Sequence, residues 1–328
     1  MALFLLRRLG AMVATLVAIS LIAFAVIELP PGDFATAYVA AMQANGVVMT
    51  EEEIAGLRAA YGLDGGLLER YAAWIWAILS RGDFGQSFEW RQPVSDLIWG
   101  RVGMSMVVEL TALVVMWCVA LPIGVYSAVR RYTVGDYAAT LFGFLGLAVP
   151  NFLLALGLMY LSFRLTGSAL SGLNDDRFID APWDAARIAD FLAHLWAPVL
   201  VLATAGMAHL IRVLRANLLD ELNKPYVVAA RARGLPEGRL IWKYPVRVAL
   251  NPLVSSIGLL LPTLISSSVV VGVVMSLPTA GPLLLRALMS QDTYLAGAFI
   301  LLMGTLAILG TVISDLLLAL VDPRVRHR

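Results

Sequence analysis

The sequence predicts an all-α polytopic membrane protein with six transmembrane helices and a helical insertion on the outer side after the first of them. Of its 328 residues, 60% are hydrophobic and 14% are charged, whereas soluble domains carry roughly 25% charged residues. Long uncharged runs reach the roughly 20 residues that a helix needs to cross a bilayer. Lysine and arginine concentrate in alternate connecting segments, a pattern typical of multi-pass proteins. These observations exclude a soluble globular domain.

The six spans are read from uncharged runs that lie between charged residues. The fifth run is too long for one crossing and contains several prolines, so we expect one helix from about Pro252 to Met275 and then an outer loop that dips back toward the bilayer. Each of the other runs fits a single crossing. The runs cover residues 9–27, 110–129, 137–163, 191–211, 248–285 and 293–314.

The distribution of charge predicts that both termini are cytoplasmic. With the N-terminus inside, the inner segments hold 15 of the 24 basic residues but only 6 of the 23 acidic ones. The first span has one alternative interpretation, a cleavable signal peptide, because Arg7 and Arg8 precede an apolar run. That run is longer than a usual signal core, and the sequence from Glu28 to Gly32 is a poor cleavage region. We therefore expect a retained first helix.

Residues 30–100 form the predicted insertion on the outer side. Thr50 followed by Glu53 predicts a capped helix start. Residues 67–79 predict a second helix, whose aromatic side chains suit a bilayer interface. We expect a turn at residues 82–85 and a short helix along the membrane at residues 93–98. A smaller acidic loop on the same side, residues 166–190, ends in another helix start.

Small residues and prolines interrupt several spans, among them Gly146, Pro150 and Gly206. Two interpretations stay open for them: close helix packing, or kinked helices around a translocation path. A run of three serines in the fifth span allows the same choice between helix packing and the lining of a pore. The serines are Ser266, Ser267 and Ser268.

A basic loop, residues 215–250, is the most polar stretch between two apolar runs. Pro225 suits a first helical position and Gly234 suits a left-handed helix end, so we expect a short helix between them. Arg231 and Arg233 fall in its last turn, where cations complement the helix dipole. Alanines at 229, 230 and 232 leave one flank bare for a partner surface. A second short helix follows Pro236 and ends before Pro245. The simpler alternative is a solvated loop whose arginines set the topology.

Catalytic, metal and nucleotide sites are not expected in this chain. The histidines are scattered, without a carboxylate or cysteine at ligand spacing. A phosphate-binding loop needs a lysine followed by Ser or Thr, but Lys224 precedes Pro225 and Lys243 precedes Tyr244. Acidic residues next to the spans fall at span ends, which argues against a proton- or sodium-driven carrier. These are Glu28, Glu109 and Asp315.

The basic loop resembles the cytoplasmic coupling loop of permease subunits of binding-protein-dependent ABC importers, in the dipeptide, oligopeptide and nickel branch. Tyr226-Val227, the run from Ala230 to Leu235, and the run from Arg247 to Pro252 match that loop in order and spacing. Pro225, Val248 and Pro245 depart from it. The remaining matches recur in order along the chain: Leu6-Arg7-Arg8-Leu9, Pro30-Pro31-Gly32-Asp33, Tyr61-Gly62-Leu63-Asp64, Gly82 to Ser87, Pro93-Val94, Leu121 to Val125 and Val321 to Arg326.

The resemblance implies a single transmembrane permease domain, 1–328, in the bacterial inner membrane. It would form half of a pore with a paralogous permease, dock one or two cytoplasmic ABC ATPases, and receive peptides from a periplasmic substrate-binding protein. ATP and Mg would be bound by the partners, and this chain would not be an enzyme by itself. The residues implied in ATPase coupling are Tyr226, Ala229, Ala230, Arg231, Ala232, Arg233, Gly234 and Leu235. Nickel chelates, opines and oligosaccharides are alternative cargoes, and a stand-alone carrier or channel is the alternative function.

Overall fold

A computed structural model describes residues 2–28, 34–44, 46, 48–60, 65–87, 89–178 and 181–321 of the chain. The described residues are largely helical, which confirms the all-α prediction. The motifs expected at 30–33, 61–64 and 322–326 lie outside them. The helices are α1 (Ala2–Glu28), α2 (Phe34–Ala44), α3 (Glu51–Ala60), α4 (Leu67–Arg81), α5 (Val94–Val129), α6 (Val134–Ala148), α7 (Asn151–Thr166), α8 (Ala185–Leu222), α9 (Pro225–Ala232), α10 (Glu237–Lys243), α11 (Pro245–Ala249), α12 (Asn251–Val274), α13 (Ala280–Met289) and α14 (Thr293–Val321).

Within the described ranges, three helices are long and apolar enough to cross a membrane: α5, α8 and the part of α14 from Thr293 to Ile313. Helices α6 and α7 supply a fourth crossing if the bent pair counts as one span. Helices α1 and α12 coincide with the first and fifth predicted spans. The structure describes no side chains for residues 2–9 of α1 and 255–266 of α12. The count of six membrane spans therefore stays a prediction.

The third predicted span is broken between α6 and α7 by a bend of 102°. Val149 has extended backbone angles (φ −91°, ψ 118°) and ends α6 with a hydrogen bond from its N–H to the carbonyl oxygen of Leu145. This is the conformation that a residue before proline prefers, and Pro150 has no N–H with which to continue the helix. The interruption expected at Pro150 is therefore confirmed, although the run 137–163 is not one helix.

Helix α5 corrects one expectation about the second span. Residues 93–98 were expected to form a separate helix along the membrane before that span. Instead one helix of 36 residues runs from Val94 to Val129. At 1.5 Å per residue it is about 54 Å long, well beyond the roughly 30 Å of hydrocarbon. Gly100 and Gly103 are tolerated inside it, because an isolated glycine weakens a helix without ending it.

Inter-residue contacts divide the chain into two compact units, one of Ser105–Pro278 with the chain from Leu309, the other of Ala2–Met104 with Thr279–Ile308. In the first unit, α8 approaches α5 and α6 at glycines. A Cβ atom on Gly206 would clash with the Sδ of Met116, and one on Gly146 would lie 3.1 Å from the Cγ2 of Thr204. These glycines therefore serve close helix packing.

In the second unit, α4 packs against α1 through aromatic side chains. The hydroxyls of Ser20 and Tyr71 lie 2.7 Å apart, and the ring of Phe24 meets Tyr71 edge-on with centroids 5.5 Å apart. Trp74, which was expected to suit a bilayer interface, is buried. The capped start of α3 is confirmed, since the Thr50 N–H donates to the Glu53 carboxylate over 2.8 Å.

A buried carboxylate fixes the turn between α4 and α5 to the start of α14. Asp292 is completely buried. Its Oδ2 accepts hydrogen bonds from the Ser87 hydroxyl at 2.5 Å and the Glu89 N–H at 3.2 Å, and its Oδ1 accepts from the Leu295 N–H at 3.2 Å. The turn predicted at 82–85 is present, with Gly82 in the left-handed region (φ 65°).

We expect the substitution Asp292→Ala to lower the free energy of unfolding by about 2–3 kcal/mol, because it leaves buried donors without an acceptor. Thermal unfolding in detergent micelles measures the change. Asp96→Ala is the matched control, since Asp96 is exposed and bonded to the neighbouring Ser95. Equal losses in the two variants would contradict a structural role for the buried carboxylate.

Candidate functional site

The basic loop begins inside a helix rather than after one. Its first residues, 215–222, belong to α8, which ends at Leu222. After Lys224, helix α9 starts with Pro225 at its first turn, as the sequence predicts. Val227 and Ala230 are the buried residues of α9. The rest of this short helix faces outward.

Gly234 forms the expected elbow after α9. Its φ is +77°, and its N–H donates to the carbonyl oxygen of Arg231 over 3.0 Å. A Cβ added at Gly234 would meet no atom within 4 Å. Backbone conformation, and not lack of space, is therefore the reason for glycine at this position.

Two further short helices connect the elbow to the membrane part. Helix α10 is anchored by the buried residues Leu240 and Ile241. It ends before Pro245, as expected, but Pro245 then opens a third short helix, α11, which the sequence analysis missed. Helix α11 packs against α8, and the side-chain amide of Asn217 donates to the carbonyl oxygen of Ala249 over 3.4 Å. Helix α12 begins two residues later.

The residues expected to couple to an ATPase are placed mostly on the surface, with one correction. Ala230 is only 7% exposed, so it does not belong to the bare flank that was expected to include three alanines. It shares a helix face with the buried Val227, three residues earlier, and that face turns inward. Leu235 is half-buried. The exposed members are Tyr226, Ala229, Arg231, Ala232, Arg233 and Gly234.

The charges of the basic loop are partly satisfied within the chain. Arg231 forms an ion pair with Glu237, with 3.2 Å between Nη2 and Oε2, and this hydrogen bonding holds the pKa of Glu237 below its usual value. The Tyr226 hydroxyl donates to Glu221 over 2.5 Å, and burial followed by this bond raises the pKa of Tyr226. Arg233 has no side-chain partner in the part of the chain that the structure describes. Its charge is therefore available to another protein.

A second polar group lies between α5 and α12. The Ser268 hydroxyl donates to the Glu109 Oε1 over 2.7 Å, and Glu109 is 3% exposed. Glu109 sits in the interior of α5. Because α5 is longer than the hydrocarbon is thick, the placement of Glu109 at the end of the second span stays a prediction. Ser267 is half-buried, and the side chain of Ser266 lies outside the described residues. Pore lining by these serines stays a prediction.

A third polar group, which the sequence analysis missed, connects α6 to α8. Asp136 is 2% exposed and accepts two hydrogen bonds of 2.8 Å from the guanidinium of Arg215. The backbone N–H of Tyr132 and the hydroxyl of Ser127 donate to the same carboxylate. Planar bidentate pairing of this kind fixes geometry as well as charge. It ties the loop before α6 to α8, ten residues ahead of α9.

Comparison with known proteins gives matches along nearly the whole chain. A family model described as binding-protein-dependent transport system inner membrane component matches residues 120–327. Residues 1–109 match the model for the N-terminal part of such membrane components.

Individual relatives also align over most of their length. The chain is 33% identical over 331 residues to an oligopeptide transport system permease protein of Bacillus subtilis, covering 100% of both chains. It is 31% identical over 341 residues to a dipeptide transport system permease protein of Escherichia coli, covering 99% of both. It is 31% identical over 271 residues to an oligopeptide transport system permease protein of Mycobacterium tuberculosis, covering 81% of this chain and 82% of that one.

Proposed function

This chain belongs to the family of binding-protein-dependent transport system inner membrane components, and we propose that it is a pore-forming permease subunit of an ATP-driven peptide importer. The observation that carries the peptide assignment is the end-to-end similarity to permeases named for oligopeptides and dipeptides. Nickel chelates, opines and oligosaccharides are the competing cargoes. This chain supplies half of the pore, and a paralogous permease supplies the other half.

The shape of the basic loop supports docking of a cytoplasmic ATPase on α9. Ala229 and Ala232 present little side chain on its outer side, so a partner surface can approach the backbone. Arg233 offers an unneutralised cation to an acidic residue of the partner. Arg231 would first have to leave Glu237 before it could pair with such a residue. Helices α8 and α12 flank the loop, so a displacement of α9 reaches both membrane segments.

The remaining partners follow from this assignment. One or two ABC ATPases hold ATP and Mg and perform the hydrolysis, and this chain performs none by itself. A periplasmic binding protein delivers the cargo to the outer face. ATP binding closes the ATPase pair, pulls the coupling helices together and opens the pore outward. Both termini lie in the cytoplasm, on the side of the ATPases.

Reconstitution of the purified assembly tests the proposal. An affinity-tagged copy of this chain should copurify a second permease and one or two ATPases. In proteoliposomes, uptake of labelled dipeptides and oligopeptides should require both ATP on the ATPase side and the binding protein on the other. Uptake should fall to background when either is omitted.

Competition identifies the cargo in the same assay. Unlabelled peptides should suppress uptake, while nickel chelates, opines and oligosaccharides should not. Transport of solute by this chain alone without ATP would instead establish a stand-alone carrier or channel. If a non-peptide solute competes and peptides do not, the chain is still an importer subunit, but its cargo is that solute and not a peptide.

A further inference from the structure

A groove lies between α6 and α8 in the first compact unit, with a cavity volume of about 220 Å³. Its apolar wall includes Phe144, Leu147 and Ile211, and two arginines, Arg212 and Arg215, line it as well. The helices run antiparallel, since Asp136 at the start of α6 meets Arg215 near the end of α8. The groove therefore has a basic end next to this pair and a purely apolar end deeper along the helices.

Small side chains keep the groove open. Ala139 and Gly143, four residues apart on α6, face Ala208 and Ala216 from α8. A Cβ on Gly143 would reach no closer than 3.9 Å to its nearest neighbour, the carbonyl oxygen of Ala208. Three residues along α6, the same two helices close to direct contact at Gly146. The groove is thus a local opening in an otherwise tight helix pair.

The two arginines differ in their electrostatic state. Arg215 is neutralised by the buried Asp136. Arg212, one turn earlier on α8, is exposed and has no hydrogen-bond or ion-pair partner among the residues that the structure describes. Arg212 directly follows the predicted span 191–211, so its guanidinium lies at the level of the lipid headgroups. An anion next to Arg212 would compensate its charge, and an apolar chain in the groove would cover the groove walls.

We propose that this groove binds one anionic glycerophospholipid. Its phosphate pairs with Arg212, since a guanidinium forms bidentate hydrogen bonds to phosphate. One acyl chain enters the groove and runs toward Leu147. Basic pockets between membrane helices on the cytoplasmic side suit such headgroups. The site depends on membrane insertion and charge, and not on which solute is carried.

Native mass spectrometry of the assembled transporter tests the site. The delipidated assembly is mixed with equimolar palmitoyl-oleoyl phosphatidylglycerol and phosphatidylcholine. We expect the wild-type assembly to retain one phosphatidylglycerol in preference to phosphatidylcholine. Arg212→Gln should lower that preference about fivefold, because this is the factor by which one basic side chain strengthens binding to anionic lipid. Arg131→Gln, an exposed arginine outside the groove, should leave it unchanged.

A steric pair of variants tests the acyl-chain part. Gly143→Leu fills the groove and should abolish retention of the lipid, while Gly157→Leu, an exposed helical glycine on α7 with open space around it, should not. An unchanged preference in Arg212→Gln overturns the proposal, as does an equal loss in Arg131→Gln. Gly143→Leu that keeps the lipid but loses a protein subunit assigns the groove to that subunit instead. If Gly143→Leu fails to assemble, the arginine pair decides alone.

Discussion

Replacing Asp136 by alanine should lower the free energy of unfolding by about 3 kcal/mol. The substitution removes the acceptor of both guanidinium hydrogen bonds of Arg215 and leaves that charge partly buried without a partner. It also leaves the Tyr132 N–H without an acceptor, because in the wild-type protein this N–H donates to the Asp136 carboxylate over 2.8 Å. Reversible unfolding in mixed micelles, followed by circular dichroism, measures the loss.

A double-mutant cycle separates the pair from the individual side chains. The double variant Asp136→Ala/Arg215→Ala should lose clearly less free energy of unfolding than the sum of the two single variants. The reason is that Arg215→Ala removes the charge that Asp136→Ala leaves unpaired. Asp176→Ala, at an exposed position, is the control. Strictly additive losses, or an Asp136→Ala variant as stable as the control, would show that the pair adds no stability.

Replacing Gly234 by valine should reduce ATP-driven uptake at least tenfold while the protein stays in the membrane. At φ +77° a β-branched residue is strained by about 1–3 kcal/mol, and roughly 1.4 kcal/mol is a tenfold change. The strain is relieved by turning α9 away from its docking geometry. Uptake and ATP hydrolysis are measured in the same proteoliposomes, and the ratio of solute moved to ATP hydrolysed should fall.

Gly238→Val is the matched control for the elbow. Gly238 lies four residues further on, in α10, and its added Cβ would also meet no atom within 4 Å, but its backbone is helical. That variant should transport at close to the wild-type rate. Normal coupling in Gly234→Val would remove α9 from the proposed docking surface, and equal losses in both variants would point to general disruption of the loop.

Local signals in the sequence predicted the helices whose ends are chemically marked. Pro225 and Gly234 bound α9, and Thr50 with Glu53 caps α3, because these residue types act on their own backbone. Helix α5 was misjudged for the opposite reason. Its first half carries Asp96 and Arg101, so a rule based on uncharged runs excluded it. A charged residue can sit inside a long helix when other side chains or the interface satisfy it.

The candidate site was predictable only where it is continuous in sequence. The basic loop was located, but the inward rotation of Ala230 depends on how α9 sits on the fold. The Asp136–Arg215 pair joins residues 79 positions apart, and the Glu109–Ser268 pair joins residues 159 apart. Nothing in the local pattern around these residues selects their partners, since each partner is set by helix packing.

The Asp292 cluster has a consequence for the order of events during synthesis. Ser87 and its acceptor are separated by 205 positions, and a ribosome adds roughly 5–20 residues per second. The turn at residues 82–93 therefore leaves the ribosome roughly 10–40 s before the carboxylate that will fix it. During that interval the first helices are already available for insertion, so the turn reaches its final state only after residue 292 has been synthesised. Premature termination anywhere before residue 292 leaves it permanently unanchored.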